Sequence, residues 1–300
     1  MLGGLSGDAA CDGGLTWSKL PTAPSLLGER PVWDDRYRVL VWVDIISGEL
    51  HRYRPGGNED LLFKAWASIG TVALGDWGGY VLACQSGFVF IDARGVVVDT
   101  APRPPGFDDD VRFNDGACDP RGRFFVGTVA VDGSPEKGRL YRLDHDGVAT
   151  VMLEGISESN GIGWDPDGAT LYYVDSGGTS PALHIFDYDL DSGQIRGLLE
   201  HVEFDSSLGV PDGLVVDHLG FLWLAFWGGG LIGKVSPRGE LVSTYDVPTK
   251  FPTCLAFGGE QYRDLYLTTA RDTEDGLAGH LFHAVTQSVG MRQPRFQLRK

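Results

Sequence analysis

The chain has 300 residues, 25 Lys plus Arg against 41 Asp plus Glu, and a formal net charge of −16. A surface this acidic repels phosphate backbones and anionic headgroups, which argues against nucleic acid or membrane partners. Hydrophobic residues make up 42% of the sequence, so a disordered chain is excluded, and no apolar run is long enough for a membrane-spanning helix. Glycine accounts for 43 residues without a collagen period, which indicates many tight turns.

The first 14 residues, MLGGLSGDAACDGG, lack the basic region and the apolar core of a signal peptide. We therefore expect a flexible leader over 1–14 and a cytoplasmic protein. Without a CxxC pair, the four widely spaced cysteines are expected to be free, mostly buried thiols in a reducing compartment. They are Cys11, Cys84, Cys118 and Cys254. The sequence leaves the oligomeric state between a monomer and a small homo-oligomer.

A pattern repeats six times along the chain. In each copy an acidic, amide or small residue is followed five residues later by Asp or Gly. An alternating apolar pair such as Val41 and Val43 comes next, with Thr128 as the one exception. This is the pattern of two short strands joined by a tight turn. The copies start at Glu29, Gly70, Asn114, Asn160, Asp212 and Thr253.

A third strand-like run follows every hairpin, and a fourth run often follows that one, as LVSTYDV does at 241–247. Four strands in a repeat of this length are typical of a propeller blade. The sequence therefore predicts an all-β protein, with one six-bladed β-propeller over 15–300. Either residues 15–19 or residues 293–298 could form the outer strand of the sixth blade.

In such a propeller the first strand of each blade lies nearest the axis, so the six starting residues form a ring at one mouth of the central channel. Four ring residues carry a carboxylate or an amide, and these groups would repel one another or stay unsatisfied unless something paired with them. They are Glu29, Asn114, Asn160 and Asp212. One divalent cation is the simplest partner, and oxygen ligands favour calcium, magnesium or manganese, with zinc less favoured. The alternative is that these residues merely begin strands, as Asx residues do near turns.

The second strands end at the same mouth. Arg112, Asn114 and Asp132 are therefore expected to crowd one side of the metal, where the forked guanidinium would bind oxygen-rich ligands. The alternative for Arg112 is a surface arginine paired within the acidic run 108–110.

Several segments resemble the SMP-30/gluconolactonase family of regucalcin-like lactonases over about residues 26–275. The segments are LGE ending at Glu29, RFNDG at 112–116, NGIGWDPDG at 160–168, PDGLVVD at 211–217, LWLAFWGGG at 222–230 and TTARD at 268–272. The resemblance implies hydrolysis of a sugar lactone. It also implies a single metal ion on Glu29, Asn160 and Asp212, and substrate contacts from Arg112, Asn114 and Asp132.

Two departures from the family pattern stand out. Arg30 replaces a glycine that is common beside the metal, so its side chain is expected to narrow the mouth or to add a substrate contact. Asp132 is one carbon shorter than the glutamate of animal members, which leaves the sugar undefined.

These residues suggest metal-assisted hydrolysis, in which the cation polarises the lactone carbonyl and Asp212 is the candidate base for the attacking water. Two alternatives stay open: a propeller hydrolase acting on organophosphates or aryl esters, and a non-enzymatic propeller that binds metal or protein.

Overall fold

The computed structural model describes residues 14–298. It contains six four-stranded sheets, and the first strand of each sheet contacts the first strands of both neighbouring sheets, so that the ring closes. This is the six-bladed β-propeller that the repeat predicted. The predicted leader lies outside the described residues except for Gly14, and so does Cys11.

A short strand, β1 (Ser18–Lys19), precedes the blades. Blade 1 contains β2 (Gly28–Asp34), β3 (Val39–Asp44), β4 (Glu49–Tyr53) and β5 (Glu59–Lys64). Blade 2 contains β6 (Ile69–Leu74), β7 (Tyr80–Cys84), β8 (Gly87–Ile91) and β9 (Val97–Ala101). Blade 3 contains β10 (Val111–Cys118), β11 (Phe124–Ala130), β12 (Gly138–Leu143) and β13 (Ala149–Ile156).

Blade 4 contains β14 (Ser159–Trp164), β15 (Thr170–Asp175), β16 (Ala182–Asp189) and β17 (Gln194–Glu203). One turn of 3-10 helix, Ser206–Leu208, leads to blade 5. That blade contains β18 (Val210–Val216), β19 (Leu222–Trp227), β20 (Leu231–Val235) and β21 (Leu241–Asp246). Blade 6 contains β22 (Pro252–Gly258), β23 (Asp264–Thr269) and β24 (Phe282–Val285).

The N-terminal strand closes the ring. Ser18 pairs with His283 and Lys19 with Phe282, so β1 supplies the outer strand of blade 6. The C-terminal segment 290–298 instead crosses the face of the ring where the inner strands end. Gly290 bridges to Asp217 in blade 5, and Phe296 bridges to Gly75 in blade 2.

The aspartates of the sequence repeat hold the turns between the first and second strands. In blades 1, 3, 4 and 5 this carboxylate accepts hydrogen bonds from backbone N–H groups of its own turn. These residues are Asp34, Asp119, Asp165 and Asp217. The repeat is therefore visible in the sequence because four of the six hairpins use the same capping carboxylate.

Apolar side chains fill the spaces between neighbouring blades. One cluster joins Val41 of blade 1 to Leu82 of blade 2, and another joins Leu224 of blade 5 to Tyr172 of blade 4. The three described cysteines are buried and form no disulfide. Among the described residues no helix is long and apolar enough to cross a membrane.

Candidate active site

The innermost strand of every blade carries a register shift at or beside its ring residue. In blade 4, for example, the pairing is interrupted between Ser159 and Ile162, so Asn160 lies inside a bulge. A bulge re-aims side chains that regular alternation would send into the sheet faces. The structure therefore has a local backbone feature, repeated around the axis, at or beside each predicted ring position.

Glu29, Asn114, Asn160 and Asp212 are all buried, and each exposes no more than 6% of its surface. Close backbone contact joins two of their strands. A Cβ on Gly161 would lie only 2.6 Å from the carbonyl oxygen of Asp212, so glycine is required there for blades 4 and 5 to approach. This approach brings the strand of Asn160 against the strand of Asp212.

The two predicted carboxylate ligands are buried close enough to repel each other. Burial raises the pKa of Glu29 to about 8, and the neighbouring carboxylate of Asp115 adds to the shift. The pKa of Asp212 is raised well above its usual value, first by burial and then by the charges of Glu29, Glu158 and Asp115. Like charges concentrated in one buried site are the arrangement that a cation would relieve.

Unpartnered oxygens point to the same conclusion. The Oδ1 atoms of Asn160 and Asp212 are buried and have no hydrogen-bond partner in the protein. Buried polar atoms are rarely left unpaired, so these two are free to serve as ligands. Glu29, Asn160 and Asp212 thus offer hard oxygen donors that suit a divalent cation. Within residues 14–298, however, no three His, Cys, Asp or Glu side chains are grouped as a metal site requires, so the set depends on the Asn160 amide.

Arg112 and Asn114 form a connected pair at the start of blade 3. Arg112 Nη1 donates to Asn114 Oδ1 at 2.5 Å, and Asn114 Nδ2 donates to the carbonyl oxygen of Ser159 at 2.9 Å. Arg112 is half-buried and interacts electrostatically with Glu158 and Glu29. These contacts contradict the alternative interpretation, in which Arg112 is a surface arginine paired within the acidic run 108–110.

Asp132 does not join this cluster in the structure. Its side chain is 63% exposed in the turn after β11, where it accepts a hydrogen bond from Ser134 N and lies 3.6 Å from Lys137 Nζ. The repeat fixes where β11 ends but not the path of the following turn. The role of Asp132 in substrate contact stays a prediction.

Two acidic residues that sequence reasoning missed belong to the cluster. Asp115 is buried directly after Asn114, because the bulge in β10 takes two consecutive residues out of the strand pairing. Glu158 lies two residues before Asn160, and burial raises its pKa. Asp175 holds the segment that leads into β14, because its carboxylate accepts hydrogen bonds from the N–H groups of Ser157 and Glu158. The sequence signal for Glu158 was its position two residues before Asn160, in the segment SESN at 157–160.

Trp227 lies at the end of β19, where it pairs with Val210 at the start of β18. It is 42% exposed, and its ring lies 5.4 Å from the ring of Phe251.

Arg30 lies elsewhere: its side chain lines a cavity bounded by the later residues of the inner strands. The expectation that Arg30 narrows the mouth is therefore wrong. A larger cavity of about 1070 Å³ lies between blades 6 and 1 and contains none of the predicted site residues.

Comparison with known proteins gives a consistent family. A sequence model described as the SMP-30/Gluconolactonase/LRE-like region matches residues 27–271. A 6-deoxy-6-sulfogluconolactonase of Pseudomonas putida is 35% identical over 283 residues, covering 91% of this chain and 96% of that protein. The pentonolactonase XacC of Haloferax volcanii is 36% identical over 268 residues, covering 88% of this chain and 89% of that protein.

A solved structure agrees with the sequence relatives. Regucalcin from Agrobacterium tumefaciens, described as a calcium-binding protein, superposes with a TM-score of 0.85 at 28% identity. The match covers 96% of this chain and 98% of that structure. The chain belongs to the SMP-30/gluconolactonase/LRE-like family.

Proposed function

We propose that this protein hydrolyses a sugar lactone to its aldonic acid with the help of one divalent metal ion. The observation that carries the proposal is the buried group of Glu29, Asn160 and Asp212, in which two carboxylates repel each other and two oxygens have no partner. Two relatives that are named as lactonases support the choice of a sugar lactone as the substrate class.

Glu29, Asn160 and Asp212 would hold the ion, which is calcium, magnesium, manganese or zinc. When bound, such an ion supplies Lewis-acid polarisation of a carbonyl and lowers the pKa of carboxylates beside it. With its pKa lowered, Asp212 is ionised at neutral pH and can accept a proton at a carboxylate oxygen.

Asp212 accordingly acts as the general base. It removes a proton from water while the water oxygen bonds to the lactone carbonyl carbon. The ring C–O bond then breaks, and the leaving alkoxide takes the proton back from Asp212, which yields the open hydroxy acid and restores the Asp212 carboxylate. A lactone is already an activated ester, so it needs only modest assistance of this kind.

Arg112 and Asn114 orient the substrate. Because Arg112 Nη1 is already fixed on Asn114 Oδ1, the remaining guanidinium N–H groups are preorganised to donate to sugar oxygens. The exposed ring of Trp227 offers an apolar face to the sugar at the mouth. Glu158 interacts electrostatically with Arg112 and so takes the position beside Arg112 that the sequence analysis expected for Asp132.

The test is acid release from a panel of sugar lactones at constant pH. Turnover should disappear on chelation and return on addition of a divalent salt. The variant Asp212→Asn should lose at least about a hundredfold in kcat/KM, as expected on removal of a general base. Asp167→Asn, in an exposed turn of blade 4, is the matched control and should keep full activity.

The same panel separates the alternatives. Turnover of aryl esters or organophosphates with no turnover of lactones would overturn the proposed substrate class. Metal binding without turnover of any ester would identify a non-enzymatic metal-binding propeller. Comparison of Glu158→Gln with Asp132→Asn shows which acid contacts the sugar, because the contacting residue raises KM when it is neutralised.

A further inference from the structure

The central channel contains a second feature beyond the ring residues. A cavity of about 350 Å³ lies where the inner strands end, on the side of the propeller that the C-terminal segment crosses. Most of its lining is apolar. The lining includes Ile162, Trp164, Leu214, Val216, Leu255 and Met291. A cavity of this size and lining falls within the range of small-molecule sites.

Arg30 is the cation that lines this cavity without a partner. It exposes 6% of its surface, no carboxylate among residues 14–298 lies within 4 Å of its guanidinium, and its Nε atom has no hydrogen-bond partner. A buried cation without a paired anion is strongly disfavoured. The cost of keeping Arg30 here calls for a compensating function.

The backbone at Arg30 adds to this cost. Its φ is +42°, in the left-handed region that a residue with a side chain rarely adopts. A glycine would occupy this position without strain. Strained conformations persist mainly where a site needs them.

The other charged groups at the cavity are already engaged. Asp165 accepts hydrogen bonds from the N–H groups of Ala169 and Thr170, and Arg292 pairs with Asp35. Asp115 interacts with Arg30 electrostatically, while its Oδ1 accepts a hydrogen bond from Gly116 N and its Oδ2 has no hydrogen-bond partner. Arg30 is therefore left as the group that can receive an anion from the cavity.

We propose that this cavity binds a small monocarboxylate with an apolar body. The carboxylate would receive paired N–H donors from the Arg30 guanidinium, a geometry that arginine favours, and the apolar body would pack against Trp164, Leu214 and Met291. Arg30 offers this cavity one positive charge within a protein of net charge −16, which matches a single negative charge and disfavours phosphates and polyanions. The site is separate from the proposed lactone site and does not depend on it.

The probe is 2-naphthoate, with 2-naphthamide as its neutral counterpart. Binding is measured by isothermal titration calorimetry on the full chain in the presence of a chelator, so that no metal ion can hold the carboxylate. We expect saturable binding of naphthoate and binding of the amide that is at least about tenfold weaker.

Variants locate the binding. Arg30→Gly removes the cation and is compatible with the positive φ, so it should fold and lose at least about tenfold in naphthoate affinity. Arg30→Lys keeps a charge without the fork and should bind with intermediate affinity. Arg94→Gly, which removes an exposed arginine, is the control and should bind as the original protein does.

Met291→Trp tests the cavity independently, because it keeps Arg30 and adds bulk to the lining. It should also weaken naphthoate binding. The proposal is overturned if naphthoate does not bind, if it binds as well to Arg30→Gly, or if the amide binds equally well. The last two results would mean that the cavity or another surface takes apolar molecules without using the cation. Loss of lactone turnover in any variant would not affect these readings.

Discussion

Neutralising Glu29 should stabilise the metal-free protein while abolishing its response to metal. In the folded chain the pKa of Glu29 is about 8, against 4.5 for an unperturbed glutamate. One pKa unit corresponds to about 1.4 kcal/mol, so at pH 7 the folded state bears a penalty of about 3 kcal/mol from this carboxyl group. Glu29→Gln removes the ionisation and also the repulsion that Glu29 exerts on Asp212.

The sign of the pH dependence follows from the raised pKa. Below pH 4.5 the carboxyl group is protonated in both the folded and the unfolded chain, so the variant gains nothing there. As pH rises from 4.5 towards 8, Glu29 ionises in the unfolded chain but stays largely protonated in the folded chain, so the free-energy penalty on folding grows. The stability advantage of Glu29→Gln should therefore be near zero at pH 4 and reach about 3 kcal/mol at pH 7.

The assay is equilibrium unfolding by urea in the presence of a chelator, at pH 4 and at pH 7, with the melting temperature as a second readout. Glu240→Gln, an exposed glutamate in blade 5, is the control and should change stability by less than about 0.5 kcal/mol. A divalent salt should raise the melting temperature of the original protein but not that of Glu29→Gln. If Glu29→Gln were no more stable than the original protein at pH 7, the buried repulsion that defines the site would be refuted.

Two further substitutions test how the scaffold holds the site. Asp175→Ala removes the carboxylate that accepts hydrogen bonds from the N–H groups of Ser157 and Glu158. It should raise KM for the lactone several-fold while metal affinity is kept. Equal losses of substrate affinity and metal affinity would argue against a positioning role. Asp217→Ala leaves two turn N–H groups and the indole of Trp223 without their acceptor, and should cost about 2–4 kcal/mol in urea unfolding. A cost below about 1 kcal/mol would show that water replaces the carboxylate.

The repeat made the architecture predictable because four of the six blades close their first hairpin with an aspartate at the same position. Residues such as Asp119 and Asp217 hold equivalent turns, and that requirement appears as the fixed five-residue offset from Asn114 and Asp212. The closure of the ring could not be predicted in the same way. It depends on pairing between Ser18 and His283, which are distant in sequence and carry no local signal of the contact.

The site was predictable where a residue begins an inner strand and unpredictable where the backbone departs from regular pairing. Simple alternation places Asp115 on the face opposite Asn114, whereas the bulge in β10 releases both from the pairing. Asp132 was expected near Arg112, but its turn is held by Ser134 and Lys137 at the surface. Arg30 follows the same logic, since its positive φ belongs to the bulge next to Glu29 and accompanies a side chain that lines the far cavity.

The most direct test of the metal site is anomalous diffraction from crystals grown with manganese. One strong peak should lie about 2.0–2.6 Å from carboxylate oxygens of Glu29 and Asp212 and from Oδ1 of Asn160. Crystals of Glu29→Gln should lack that peak. A peak bound by other residues, or no peak at a manganese concentration that supports turnover, would contradict the assignment of these three residues as the metal ligands.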